Sequence, residues 1–259
     1  MSKADRPELD ITKRGSALWP TITREERRNA INEGVLAEMG KAIHAAQTDR
    51  SVRAIVVTGA GIKAFCAGAD LQSARAFTAD YSEPIGQLAQ LLRMAKASNV
   101  PLIARVNGAC MAGGMGLLSM CDMAVAASHA VFGLPEVKVG LFPAQVLSVL
   151  QHLIPRRKLA EMCLTGEPLS SAEALEFGLV NYVDDNVDAK LQWLLERLLD
   201  KSPGAIRRGL YIMKRIETMA FEESASFTES QIALLLLTED AKEGIKAFQE
   251  KRKPSWVGQ

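Results

Sequence analysis

The chain has 259 residues, 48% of them apolar, with 31 lysines and arginines against 30 aspartates and glutamates. That length allows one large domain or a core with an appendage, and the apolar share suffices for a substantial buried interior. The even charge balance gives no global attraction to nucleic acid or to an acidic membrane.

The opening stretch MSKADRPELD has neither the basic cap nor the apolar run of a signal peptide. The most apolar long stretch, 106–127, is broken by Asn107, Asp122 and several glycines, whereas a membrane span needs about 20 mostly apolar residues. Cys66, Cys110, Cys121 and Cys163 are scattered without a C-x-x-C pair, which reads as reduced thiols in a core rather than a disulfide framework. A soluble, cytoplasmic protein is expected.

Residues 9–23, LDITKRGSALWPTIT, predict a hairpin turning at Arg14-Gly15-Ser16. Pro20 cannot donate to a ladder, so the second strand is expected at a sheet edge or to end there. Over 29–48, Ile31, Val35, Met39, Ile43 and Ala46 form one helical stripe. The β-branched run 53–58 predicts a strand. A second alternation follows: a helix over 85–97, a strand in PLIARVNG, a glycine-rich turn, a short helix over 113–121 and a strand in DMAVAAS. Strands alternating with helices imply right-handed crossovers and a largely parallel sheet. Beyond about 153 the pattern is helical, with RRKLAEMCLTG and SSAEALEFGLV as two helices, the second ending near Gly178. Four more helices fill 187–252, punctuated by Ser202-Pro203-Gly204. The outline is an α/β core over 1–195 and a helical region over 196–259.

The strand at 53–58 runs into Gly59-Ala60-Gly61-Ile62-Lys63-Ala64, the start of a dinucleotide-binding turn. Such a turn needs a helix directly after it and an acid ending the next strand. Here a second glycine cluster, FCAGADL, occupies the helix position, and 74–80 has no strand character, so the cofactor reading is set aside. Another glycine-rich turn, NGACMAGGMGLLSMCD, also follows a strand and opens a short helix. Two such turns at neighbouring strand ends bring main-chain N–H groups together, one with a helix N-terminus behind it. Two convergent donors can form an oxyanion hole. From spacing alone, tight turns and close helix–strand packing explain the glycines equally well.

The segments KAFCAGADL, VNGACMAGGMGLLSMCD, FGLPEVKVGLFP, LTGEPLSSAEALEFGLV and FQEKRKPSW resemble, in order, signatures of the crotonase superfamily of enoyl-CoA hydratases and isomerases. The resemblance runs from about residue 9 to the C-terminus. It implies a spiral of β-β-α units with a helical C-terminal region, assembled as trimers or pairs of trimers. It makes the N–H groups of Ala69 and Gly113 the donors that hold a thioester carbonyl, with Gly68 and Gly116 also contacting the substrate. Glu136 matches the second of the two glutamates used by family hydratases, and its apolar neighbours Leu134, Pro135 and Val137 should raise its pKa and fit it for proton transfer. Where the first glutamate belongs, this chain has Gly116. A single glutamate suits double-bond migration, in which one base takes a proton off and returns it. After GLFP stands Ala144-Gln145-Val146-Leu147, where typical hydratases continue with glycines.

For the coenzyme A part of the substrate, the resemblance points to Arg28 and Ala30 in REERRNAI, to Asp70 and Leu71 beside the A-G-A turn, and to Lys251 near the C-terminus, acting from a neighbouring subunit. Leu141 and Phe142 are expected to line the acyl pocket or to belong to the core. No tightly bound cofactor is implied. His44, His129 and His152 lack the spacing of metal ligands, and Ser119 is not in a G-x-S-x-G elbow. The rivals are thioester hydrolysis with the same oxyanion hole and a non-catalytic coenzyme A-binding protein.

Overall fold

The computed structural model describes residues 7–70 and 86–258. Leu71 and the start of the helix expected from residue 85 lie outside them. Ten strands make two sheets, and from β3 to β8 successive strands go to alternate sheets. The larger sheet holds β1 (Leu9–Arg14), β2 (Ala17–Ile22), β3 (Ala54–Gly59), β5 (Leu102–Val106), β7 (Met123–Ala127) and β10 (Tyr182–Asp184), in that order. The smaller holds β4 (Ala64–Cys66), β6 (Ala109–Met111), β8 (Val131–Gly133) and β9 (Leu169–Ser170). Apart from the β1–β2 hairpin and the β8–β9 pair, every pairing is parallel.

Between the strands run α1 (Glu33–Thr48), α2 (Gln87–Ala97), α3 (Gly113–Ser119), α4 (Ala144–Leu150), α5 (Arg156–Thr165) and α6 (Ser171–Glu176). The C-terminal helices are α7 (Val187–Leu199), α8 (Pro203–Ile216), α9 (Phe221–Leu236) and α10 (Glu239–Gln249). The units β3-β4-α2, β5-β6-α3 and β7-β8-α4 repeat one step: a strand in each sheet, then a helix. This is the β-β-α spiral.

The sequence pattern explains the layers. The predicted stripe of α1 is buried along its length, and Asn32 caps the helix by accepting the Val35 N–H at 2.9 Å. In β3 every residue is buried: Ile55 and Val57 face the main core, while Ala54 and Val56 face a second core under α7 with Trp19, Leu191 and Leu195. A strand covered on both faces shows as a continuous apolar run. α7 crosses residue 195, the expected boundary between core and helical region, and packs on the sheet through Val187, Leu191, Leu194 and Leu195.

One expectation is corrected. β2 lies inside the sheet, between β1 and β3, so Pro20 does not mark an edge. The reason lies in the register. Ala17 and Leu18 pair with Ala54 and Ile55, and Thr21 and Ile22 with Thr58 and Gly59, while Trp19 and Pro20 are skipped. The missing proline N–H falls in that break, and the β1 side still pairs Pro20 with Ile11.

α8 is fastened to the core by two cations on one face. Arg207 donates to the carbonyls of Gln47 at 3.1 Å, in the last turn of α1, and Val52 at 3.0 Å, beyond its end. Lys214 donates to Ala95 and Ser98 at the end of α2 and pairs with Asp122 at 2.9 Å. Cations suit helix C-termini, where carbonyls lack partners. The four cysteines are free, and Cys66 and Cys110 face each other across β4 and β6. Burial pushes the Cys66 thiol up to about 12. No helix among the described residues is long and apolar enough to cross a membrane.

Candidate active site

Three adjacent parallel strands of the smaller sheet, β4, β6 and β8, deliver three loops to one edge. Ala69 follows β4, Gly113 follows β6 and Glu136 follows β8, each two or three residues beyond its strand. Neighbouring strands are about 4.8 Å apart, so the outer two arms stand roughly 10 Å apart with Gly113 between them.

The first arm is fixed by a parallel bridge between Ile31 and Ala69. The Ile31 N–H donates to the Gly68 carbonyl at 2.8 Å, and the Asp70 N–H donates to the Ile31 carbonyl at 2.8 Å. In this pattern the peptide groups either side of Ala69 are taken by Ile31, and the Ala69 N–H itself faces away from the bridge. Gly68 has φ +102, and a Cβ there would meet the Ala112 methyl at 2.7 Å, so both conformation and space require glycine.

The second arm approaches closely. A Cβ on Gly68 would stand 3.4 Å from the Gly113 nitrogen, and one on Gly113 would stand 3.6 Å from the Ala69 nitrogen. The two amides are thus neighbours, and no acceptor among the described residues takes either N–H. Ala112, just before α3, holds φ 51 and ψ −122, a conformation that costs a non-glycine residue about 1–3 kcal/mol. Its N–H donates to the Gly133 carbonyl at 2.9 Å, which ties the second arm to the third.

Gly114 and Gly113 should respond differently to a methyl group. On Gly114 it would collide with the Cys66 carbonyl oxygen and stand 2.9 Å from the Cys66 Cβ; on Gly113 its tightest neighbour is the movable Ile31 Cδ1 at 3.1 Å. Gly114→Ala is expected to destabilise by about 1–3 kcal/mol. Gly113→Ala is expected to stay within about 1 kcal/mol of the parent in urea unfolding. Equal midpoints for the two variants would contradict this packing.

Glu136 sits in a one-turn 3₁₀ helix, Pro135–Val139, started by Pro135 and closed by a Leu141 N–H donating to the Glu136 carbonyl at 3.0 Å. Its side chain is half-buried, and Oε2 is enclosed without a hydrogen-bond partner. Burial pushes the carboxyl above its ordinary value. Cys163 of α5 lies near it: burial raises that thiol, and the Glu136 charge raises it further. Beside the arms, Gly116 is buried in α3. A Cβ there would touch Val146 Cγ2 at 3.5 Å and the Leu88 methyls at 3.8 and 3.9 Å, so the wall at that point is apolar.

The remaining candidates are distributed as follows. Arg28 is exposed with φ 51, and its carbonyl accepts the Ala67 N–H at 3.0 Å. Ala30 is buried, and its carbonyl accepts Arg24 Nη1 at 2.6 Å. The Asp70 carboxylate pairs with Arg24 at 2.7 Å and Arg27 at 3.3 Å, so it fastens the turn. Leu141 and Phe142 are 43% and 50% exposed, which removes them from the core. Lys251 stands apart, exposed at the end of α10, which packs on α8 and α9.

Three polar residues that hold the site together escape the sequence reading. Arg24 is 6% exposed and links Ala30, Asp70 and Glu8. Asn29, at φ 56, donates to the carbonyls of Ala60 and Ala64. Asn107 donates to Gly61 and Ala64 and accepts the Gly59 N–H. The carbonyls of the G-A-G-I-K-A turn are therefore taken up by protein amides. Asn29 and Asn107 bind it as a brace between sheets, and the turn leads into β4 rather than into a helix N-terminus, which disposes of the dinucleotide reading. Among the described residues no group of three or more His, Cys, Asp or Glu side chains is gathered for a metal.

Comparison with known proteins agrees with this architecture. A family profile described as enoyl-CoA hydratase/isomerase matches residues 14–259. The 2,3-dehydroadipyl-CoA hydratase of Escherichia coli (strain K12) is 32% identical over 97% of this chain and 99% of that protein. The carnitinyl-CoA dehydratase of Escherichia coli O157:H7 is 36% identical over 96% and 98%. A crystal structure of an enoyl-CoA hydratase from Mycobacterium smegmatis matches with TM-score 0.92 at 32% identity, covering 97% of this chain and 99% of that one. Motifs, spiral fold and full-length similarity agree: the chain belongs to the enoyl-CoA hydratase/isomerase family, within the crotonase superfamily, and is an enzyme of that type.

Proposed function

We propose that the protein acts on an enoyl-CoA thioester, with the N–H groups of Ala69 and Gly113 gripping the thioester oxygen and Glu136 as the single acid/base. The observation that carries this reading is the enclosed, unpartnered Glu136 Oε2 on the same sheet edge as two neighbouring amides without acceptors. The carboxylate removes a proton from the carbon next to the thioester carbonyl. Negative charge moves onto the carbonyl oxygen, where two donors stabilise it; losing one such donor typically costs about 3 kcal/mol of barrier lowering. The same carboxyl then returns the proton at the γ carbon, which converts a 3-enoyl into a 2-enoyl ester.

Gly116 favours this isomerisation, because its apolar neighbours Val146 and Leu88 provide no group to hold a water. Hydration of a 2-enoyl ester is the second reading, favoured by the names of the relatives, which are hydratases and a dehydratase. Those names speak against thioester hydrolysis and against a purely binding role. Coenzyme A arrives as part of the substrate, with no other tightly bound cofactor. Arg28, Ala30 and the A-G-A-D turn take its nucleotide end, and Lys251 reaches it from a neighbouring subunit.

Assembly as a trimer or pair of trimers is supported by the C-terminal helices, where Phe221, Leu237, Ile245 and Phe248 stand 78%, 70%, 52% and 85% exposed. Four free thiols suit the cytoplasm. Incubation with 2-enoyl-CoA and 3-enoyl-CoA separately, followed by mass, tests the chemistry. A shifted alkene of equal mass supports isomerisation and a water adduct supports hydration. Free coenzyme A, or no turnover across a varied acyl series, would remove the proposal.

A further inference from the structure

Ile31 touches both arms of the site. It is 4% exposed and holds the first arm through its main chain: its N–H donates to the Gly68 carbonyl at 2.8 Å, and its carbonyl accepts the Asp70 N–H at 2.8 Å. The Cys66 thiol donates to the same Gly68 carbonyl at 3.9 Å, and its sulfur accepts the Gly68 N–H at 3.4 Å. In a trans peptide the C=O and N–H of one plane point in opposite directions. Drawing the Gly68 carbonyl towards Ile31 therefore aims the Ala69 N–H, which shares that plane, the other way. Gly68, at φ +102, leaves this plane free to turn over, so the restraint has to come from outside the turn.

The second arm has no side chain of its own at this point, because Gly113 is followed by Gly114. The Ala112 carbonyl accepts the Met115 N–H at 2.9 Å, which by the same rule aims the Gly113 N–H away from α3. The position that a Gly113 Cβ would take is 3.1 Å from Ile31 Cδ1 and 3.6 Å from the Ala69 nitrogen. The terminal methyl of Ile31 thus stands beside Gly113 where the two amides come together, and it packs the bare side of that turn.

We propose that Ile31 is a positioning residue that sets the gap between the Ala69 and Gly113 amides, gripping the first arm by its main chain and backing the second with its δ-methyl group. This role rests on the reading of those amides as donors to the thioester oxygen. Two donors act together only when both reach one oxygen, and the N–H···O window is about 2.7–3.2 Å wide. A shift of roughly half an ångström at Gly113 takes one donor out of that window while the other still binds. Ile31 touches no reacting atom in this account; it acts through the two turns.

The test compares two equal deletions in the full-length protein. Ile31→Val removes Cδ1 and leaves every main-chain bond in place. Ile43→Val removes the same atom from another buried side chain, near the far end of α1. Each variant is assayed for enoyl-CoA turnover and for binding of butyryl-CoA isotope-labelled at the carbonyl, whose stretching frequency falls as hydrogen bonds to its oxygen strengthen. In the parent the bound carbonyl should absorb below the free ester. Ile31→Val should show a smaller downshift and a kcat lower by about tenfold, with butyryl-CoA affinity within about threefold of the parent. Ile43→Val should keep the parent's frequency and turnover. An unchanged frequency in Ile31→Val, or equal losses in the two variants, would overturn the role of Ile31 and leave the two donors standing. No downshift in the parent itself would remove both the donors and the role of Ile31.

Discussion

Glu136→Gln should lower turnover of the preferred enoyl-CoA by about a thousandfold while leaving acyl-CoA affinity within about threefold of the parent. Glutamine fills the same volume and spares the amides of Ala69 and Gly113, so binding survives and proton transfer does not. The pH profile follows from the same burial. Proton abstraction needs the carboxylate, and burial holds the proton above the ordinary glutamate value of 4.5. In the parent, kcat/KM should therefore rise with pH through a value above 4.5 and level off beyond it.

Stability should move the other way. In the unfolded chain the group ionises near 4.5, whereas in the folded protein it keeps its proton to higher pH. Its contribution is fully present below the unfolded value and is lost as pH rises through the folded one. Glu136→Gln has no charge to desolvate, so it should unfold at higher urea than the parent at neutral pH, with the gap closing in acid. Full activity in this variant, or lower stability at neutral pH, would remove the assignment of Glu136 as a desolvated base.

The second large effect belongs to a pair that touches no reacting atom. Arg24→Met and Asp70→Leu should each destabilise the protein by about 1–3 kcal/mol, because each breaks a buried charge-assisted bond and leaves the remaining charge to its secondary partner, Arg27 for Asp70 and Glu8 for Arg24. Arg24 and Asp70 side chains are 7% and 9% exposed and lie 2.7 Å apart. Arg24 also carries Glu8 at 2.9 Å and the Ala30 carbonyl, so removing it loosens both flanks of the 24–31 turn. The double variant should be less destabilised than the two losses added together, since both losses remove the same bond. Additive losses in a urea double-mutant cycle would mean that the two groups do not act as a pair. Turnover should fall with either single change, because Asp70 directly follows the Ala69 amide and is held to Ile31 by its own N–H.

What the sequence disclosed was what repeats locally. The stripe on α1, the buried run of β3, the hairpin at Gly15 and the four C-terminal helices all follow from periodicity and turn residues. The smaller sheet does not. β4, β6 and β8 have three residues each and β9 has two, too short for an alternation to register, and β6 lies inside a stretch that reads as a glycine-rich turn. Yet this sheet is what lines up Ala69, Gly113 and Glu136.

Those three residues were legible through the family motifs, whereas the polar braces were not. Arg24 meets Asp70 across 46 positions, and Asn107 meets Gly59 across 48, pairings that no local pattern encodes. Pro20 shows the opposite fault. A sound local rule put β2 at an edge or made it end there, and a two-residue break in its pairing with β3, with the register unchanged on either side, accommodated the proline inside the sheet.

Because β4, β6 and β8 run in the same direction, their following segments all emerge on one rim, each rooted in a separate strand. Antiparallel neighbours would have sent alternate connections to opposite rims. The segment carrying Glu136 can therefore be rewritten by mutation or insertion without shifting the amides of Ala69 and Gly113, and those amides can face a new side chain supplied from elsewhere on that rim. In such a scaffold new chemistry can arise by exchanging one segment at a time while the placement of the other two is inherited.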